Sequence, residues 1–295
     1  MNSSFRIAHL SDLHFSDIDW KLKHFLSKRW IGNVNFYFKR KKIFDYFLLQ
    51  PLPKLFSKLK IDLVLISGDV SCTSAHGEFK KAQEFVGILR DQGLDVVVLP
   101  GNHDHYTKDA YAKKVFYNYF PHSYGEQKWN LKEHGVALKP LQGSWWLVLL
   151  DTTLSTPLLC SHGSFSQAHQ KYLEQALDSL PKEAKVVVAN HFPLMKKGLR
   201  SDLLGRRRFF TLLKKYPMIQ WYLHGHNHHQ TLLDHRKKGL PLSVDTGSTT
   251  YAKRASWTLL ECREFTSSFT PYSWDVKTQC WKELQSQNFT HKKDK

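Results

Sequence analysis

The chain is built from short apolar runs that end in bursts of polar residues. Residues 6–10 run into Ser11-Asp12-Leu13-His14, residues 61–66 into Ser67-Gly68-Asp69, and residues 96–99 into Pro100-Gly101-Asn102-His103-Asp104. Residues 184–189 run into Asn190-His191, and residues 221–223 into His224-Gly225-His226-Asn227-His228. Branched apolar runs with little alternation predict strands buried on both faces, as in a parallel sheet. Between them, Phe79, Ala82, Phe85, Val86 and Leu89 recur at helical spacing over 78–90. Leu173, Ala176, Leu177 and Leu180 do the same over 166–180, behind a Ser166 cap and ahead of Pro181. Helices are also predicted over 43–59, interrupted near Pro51 and Pro53, and over 108–120 and 206–216. Further strands are predicted at 138–142, 145–150, 229–233, 240–245 and 256–263. Strand and helix alternate through the first half, which predicts βαβ units and an α/β fold. From about residue 264 the pattern turns polar and reads as a C-terminal extension with a frayed tail at 291–295. No repeat or linker divides residues 1–295, so one domain is expected.

The polar endings carry the chemistry. Gly68 permits a sharp turn, and Asp69 then stands past the carboxyl end of a buried strand, where α/β sheets place their ligands. One such ending is equally well a helix cap, but five of them are not a coincidence of caps. Asp12 and His14 have one residue between them, which turns both side chains the same way on an extended backbone. The expected donor sets are Asp12, His14, Asp69 and His226 for one ion, and Asp69, Asn102, His191 and His224 for another. Mixed carboxylate, amide and imidazole donors suit Mn²⁺, Fe²⁺ or Zn²⁺ better than Mg²⁺. His103 falls outside both sets and is the expected proton donor to a leaving oxygen, with Asp104 expected to orient it.

Charge changes the picture of what binds. Forty-three Lys and Arg against 26 Asp and Glu leave +17, which calls for an anionic partner. Two basic segments stand out, at 15–42 and 193–208. Within the first, residues 20–42 hold eight Lys and Arg, no acid, and Trp30, Phe36 and Phe38 among other aromatics. Cations mixed with aromatics fit a lipid headgroup layer. The second segment carries Arg206, Arg207 and Arg208, the expected grip on phosphate. These cations sit among Leu, Phe and Trp and trace no long polar groove along the sequence, so nucleic acid is not the expected partner. No obligate protein partner is expected either. Four scattered cysteines show no disulfide or zinc spacing and fit a reducing compartment. Neither a signal peptide nor a spanning helix is expected.

The pattern Asp12-x-His14, Gly68-Asp69, Gly101-Asn102-His103-Asp104, His191 and His224-Gly225-His226 resembles the calcineurin-like metallophosphoesterase superfamily over roughly residues 5–250. The resemblance implies a four-layered α/β/β/α sandwich with two mixed sheets flanked by helices, a dinuclear centre, and hydrolysis of a phosphoric ester or pyrophosphate. With its two basic insertions the chain is most similar to the UDP-2,3-diacylglucosamine pyrophosphatases of chlamydial type. That implies release of UMP and 2,3-diacylglucosamine 1-phosphate in lipid A synthesis, at the cytoplasmic face of a bacterial inner membrane. A cyclic-nucleotide or general phosphodiesterase is the alternative, and a nuclease or a metal-free scaffold stands further off.

Overall fold

The computed structural model describes residues 4–17, 43–121, 128–157, 160–195, 198 and 201–291. Its strands are β1 (Phe5–Leu10), β2 (Leu63–Ile66), β3 (Asp95–Val98), β4 (Val136–Pro140), β5 (Trp145–Leu150), β6 (Gly163–Ser164), β7 (Lys185–Ala189), β8 (Leu203–Leu204), β9 (Ile219–His224), β10 (Thr231–Asp234), β11 (Leu242–Asp245), β12 (Ser256–Cys262), β13 (Thr266–Asp275), β14 (Cys280–Glu283) and β15 (Gln287–Thr290). Its helices are α1 (Leu52–Lys58), α2 (His76–Asp91), α3 (Lys108–Ala112), α4 (Phe116–Tyr119), α5 (Leu131–His134), α6 (Gln167–Asp178) and α7 (Arg206–Lys215).

The first sheet runs β14-β13-β12-β1-β2-β3, with β15 also on β13. Strands β1, β2 and β3 are parallel, and β12 lies antiparallel to β1. The second runs β10-β11-β9-β7-β5-β4, parallel from β11 to β5 and antiparallel at both edges. Each is therefore mixed. Strand β7 shows how they stack. Its Val187 and Ala189 join the core shared with Leu65, Val97 and Trp257 of the first sheet, whereas Val186 and Val188 join Leu173 and Leu177 of α6 and Phe209 and Leu213 of α7. Successive side chains on a strand point to opposite faces, so β7 has one face on the other sheet and one on helices. Helices α1 and α2 contribute Phe56, Phe79 and Phe85 to the first core. The layers are helix, sheet, sheet, helix, as the α/β expectation required.

The C-terminal region departs from expectation. Residues after 264 form three antiparallel strands of the first sheet, not an appended extension. Their composition is polar, yet Phe269, Tyr272 and Trp281 are buried, as are Ser267 and Thr270, while most of β14 and β15 is exposed. His291 is also no frayed residue. It is buried and hydrogen-bonded to Gln220 (2.8 Å) and Ser267 (2.7 Å). The helix expected over 108–120 is broken into α3 and α4 at Lys114, whose φ is +49°. Trp30, Phe36 and Phe38, and residues 18–42 as a whole, lie outside the described residues, as do residues 196, 197, 199 and 200 of the second basic segment. Among the described residues no helix is long and apolar enough to cross a membrane.

Candidate metal centre

The polar endings meet where the carboxyl ends of both sheets come together. Asp12 follows β1, Asp69 follows β2, Asn102 and His103 follow β3, His191 follows β7, and His226 and His228 follow β9. Close backbone approach is built into the turns. A Cβ on Gly68, where φ is +109°, would lie 2.6 Å from His191 Nδ1, and one on Gly225 would collide with Ser11 Oγ and Asp12 Oδ2. Only glycine lets these loops touch.

Two donor groups result, joined by Asp69. In the first, His228 Nε2 is 3.0 Å from both Asp12 Oδ1 and His14 Nε2, and His14 Nε2 is 3.6 Å from Asp12 and 3.8 Å from Asp69. In the second, His191 Nε2 is 3.4 Å from Asp69 Oδ2 and 3.2 Å from Asn102 Oδ1. His226 Nδ1 lies 2.9 Å from the same Asn102 oxygen and 3.2 Å from His191 Nε2. Imidazole nitrogens that face each other at such distances share at most one proton between two rings, whereas a cation satisfies both lone pairs. Asp12 Oδ1 and His14 Nδ1 are also buried without a hydrogen bond. The residues present therefore fit two divalent ions, with Asp69 common to both sets.

This geometry corrects the ligand pattern read from sequence. His226 belongs with Asn102 and His191, and His228 takes the place beside Asp12 and His14. His224 belongs to neither set. It is the last residue of β9, paired in register with Asp245, and its Nδ1 lies 3.0 Å from the Gly225 carbonyl and 3.7 Å from Asp245 Oδ2. The sequence did carry a signal for His228: His226-x-His228 has the spacing of Asp12-x-His14. The backbone supplies a second mark. Nine non-glycine residues have positive φ among the described residues, and five of them are Asp12, His14, Asp69, His226 and His228. Such residues cost roughly 1–3 kcal/mol each and persist where function over-determines them.

His103 donates its backbone N–H to Asp69 Oδ1 (2.7 Å), and its Nδ1 lies 2.6 Å from the Cys72 carbonyl. Its ring stacks on Tyr106 with centroids 5.5 Å apart. A ring nitrogen of His103 also comes within ligating reach of His14 and Asp69. Asp104 does not orient it. That carboxylate accepts the N–H groups of Val70 (3.1 Å), Ser71 (2.8 Å) and Gly101 (2.8 Å), and so staples the loop after β2 to the loop after β3. The carbonyl of Cys72 is the group that holds His103. Of the second basic segment, Arg206 lies 3.6 Å from Asp202, Arg208 donates to the Phe165 carbonyl (3.1 Å), and Arg207 is exposed. Leu194 and Leu203 of the same segment are core residues.

Residues 5–230 match the family model for calcineurin-like phosphoesterases. The chain belongs to the calcineurin-like phosphoesterase family. It is 27% identical over 176 residues to a probable glycerophosphodiester phosphodiesterase of Arcobacter nitrofigilis, a match covering 58% of each chain. It is 24% identical over 174 residues to a 3',5'-cyclic-nucleotide phosphodiesterase of Nostoc, covering 58% of this chain and 57% of that one. The chain thus spans less than two thirds of these curated relatives. In fold it is similar to a dimetal phosphatase of Danio rerio (TM-score 0.66, 12% identity, 98% and 99% of the two chains) and to a purple acid phosphatase of yellow lupin (0.67, 12%, 98% and 54%).

Burial and the Asp69–His191 pair together set the charge states of this phosphoesterase centre. Burial opposes ionisation of Asp69, yet His191 and then His103 hold its carboxyl below the usual range. Burial likewise opposes a charged His191, but Asp69 beside it raises that imidazole to about 10. His226 is pushed down to about 3 by burial and by His191. His14 is lowered by burial too. Burial favours the neutral, metal-binding imidazole at His14 and His226, whereas the pairing with Asp69 favours a protonated His191, which must give up that proton to a cation.

Proposed function

We propose that this phosphoesterase hydrolyses phosphodiesters with a pair of divalent ions, Mn²⁺ in the first instance and Fe²⁺ or Zn²⁺ as the alternatives. Asp12, His14, Asp69 and His228 hold one ion; Asp69, Asn102, His191 and His226 hold the other. When bound, such a pair would supply Lewis-acid polarisation of phosphoryl oxygens and activation of water. The residues do the rest. Asp69 fixes the loop after β3 through the His103 N–H, so ligand and acid stay in register. The Cys72 carbonyl accepts from His103 Nδ1–H and fixes the ring. In the imidazolium form the second proton then sits on Nε2, passes to the leaving oxygen, and leaves the neutral Nδ1–H tautomer behind. The two donor groups sharing Asp69 are the observation that carries this reading, and the phosphodiesterase names of the relatives support the ester class.

A panel of cyclic AMP, glycerophosphodiesters, bis-p-nitrophenyl phosphate and p-nitrophenyl phosphate tests it. Turnover of at least one diester that chelator and Asp69→Ala both abolish is the expected result. Turnover of the monoester alone overturns the diesterase assignment.

A second reading has one observation in its favour. The basic aromatic segment leaves the described chain at Asp17 and returns at Ile43, beside Phe44, whose ring lies 4.6 Å from that of His14. A cationic, aromatic segment rooted at the centre suits a diacylated sugar nucleotide such as UDP-2,3-diacylglucosamine, cleaved at its pyrophosphate at an anionic membrane surface. This reading carries the peripheral inner-membrane location with it. Replacing Trp30, Phe36 and Phe38 together by Ser should spare a small soluble diester and impair the lipid nucleotide and vesicle retention. Unchanged lipid turnover removes this reading.

A further inference from the structure

A cleft rich in Lys and Arg lies at the opposite pole of the second sheet from the metal centre. Trp145, Lys185 and Ile219 open strands β5, β7 and β9, and all three line a cleft of about 1560 Å³. The donors His191, His226 and His228 follow the far ends of β7 and β9. Five steps of about 3.3 Å along the six-residue β9 put its far end about 17 Å from the cleft. Around the cleft stand seven Lys and Arg residues and three acids. Three of these cations are paired with carboxylates, Arg236 with Asp234 (2.7 Å), Lys215 with Glu174 (3.4 Å) and Arg263 with Glu261 (3.1 Å). Lys182, Lys214 and Lys237 are exposed at its margin. Lys185 is half-buried, bonded to Ser144 Oγ (3.1 Å), and its ammonium lies 5.6 Å from the centroid of the Phe265 ring. Phe265 is itself 40% exposed.

These features specify a ligand class. The cleft exceeds the roughly 300–1,000 Å³ of small-molecule sites, so its occupant is extended. Its cations come from four separate stretches of chain, near 182–185, 214–215, 236–237 and 263, and so form a groove that no linear charge pattern displays. A flat bilayer would meet the marginal lysines but not the half-buried Lys185. An exposed aromatic ring among cations is what unpaired bases stack on, whereas a duplex keeps its bases inside. We infer that this basic cleft binds single-stranded nucleic acid, independently of the metal centre.

The test uses the full chain with its metals, a fluorescein-labelled twelve-residue oligothymidylate, and anisotropy over a salt series. If Lys182, Lys185, Lys214 and Lys237 each meet a phosphate, log K falls with log salt at a slope of about −2.8. The triple variant Lys182→Ala, Lys214→Ala, Lys237→Ala should flatten that slope by about 2 and weaken binding at least tenfold at low salt. Phe265→Ala should weaken binding about tenfold with the slope unchanged. Hydrolysis of bis-p-nitrophenyl phosphate should be unaltered in both variants, which shows that fold and centre are intact. Equal oligonucleotide binding by wild type and triple variant overturns the inference. So does binding of vesicles containing phosphatidylserine, or of a twelve-base-pair duplex, in preference to the single strand.

Discussion

His224 and His228 are two of three alternating histidines, yet the structure gives them unrelated work, and truncating each in turn separates the two roles. His228→Ala removes a nitrogen 3.0 Å from both Asp12 and His14. Loss of a group that merely orients a metal ligand costs about 10–100-fold in affinity, so loss of a donor should exceed 100-fold for that one ion. The variant should hold one equivalent of Mn²⁺ after gel filtration where wild type holds two, and diester turnover should fall at least about 100-fold. Its fold should survive, because His228 is partly exposed at the mouth of the site. His224→Ala should do the reverse. Its ring is 4% exposed at the end of β9, so truncation leaves a cavity worth about 2–4 kcal/mol and lowers Tm by roughly 5–10 °C. Metal stoichiometry should stay at two. Inductively coupled plasma mass spectrometry and thermal melts on both variants decide the matter. If His224→Ala loses an ion and His228→Ala keeps two, the donor assignment is wrong.

His103→Ala should keep both metals and lose about 10²–10⁴ in kcat, with a smaller loss toward esters of acidic phenols; parallel metal analysis and kinetics check it. Asp104→Ala leaves three buried N–H groups without their acceptor and should cost several kcal/mol, at about 1–3 kcal/mol per unmet group, read by urea melts. Chelation should lower Tm, and returning Mn²⁺ should restore it in a concentration-dependent way. Burial opposes ionisation of Asp151, but His105, Thr153 and Tyr117 around it depress the carboxyl to about 2. A depressed carboxyl stabilises the fold above its ordinary value near 3.8, and that stability is lost as pH falls toward 2. It amounts to about 2 kcal/mol, so urea melts of Asp151→Asn should show a weaker acid dependence between pH 4 and 2 than wild type.

The strands that carry donors were legible because each is a buried apolar run and stops abruptly at polar residues. Asp12, His14, Asp69, Asn102 and His191 could be read from those stops. His228 could not be separated from His224 that way. In His224-Gly225-His226-Asn227-His228 the deciding fact is where β9 ends, and that is set by pairing of His224 with Asp245, 21 positions along the chain. Asp104 was misread for a similar reason, since its hydrogen-bond donors Val70 and Ser71 belong to another loop. Strands β13 to β15 hid because a half-solvated antiparallel meander shows its polar face as often as its apolar one. The basic cleft was invisible because cations from distant segments share a surface only after folding.

The left-handed backbone at Asp12, His14, Asp69, His226 and His228 has a consequence for laboratory evolution. Glycine would relax the backbone at each position. At buried Asp12, His14 and Asp69 it also opens a cavity, and at Asp12 and Asp69 it strips the acceptor from the His226 and His103 N–H groups. Only the partly exposed His226 and His228 therefore gain from it once metal is withheld. A library screened in chelator only for survival of the fold should enrich Gly, or Asn, at His226 and His228 and yield robust, inert proteins. The same enrichment, read in reverse, would locate the centre without any assay of its chemistry.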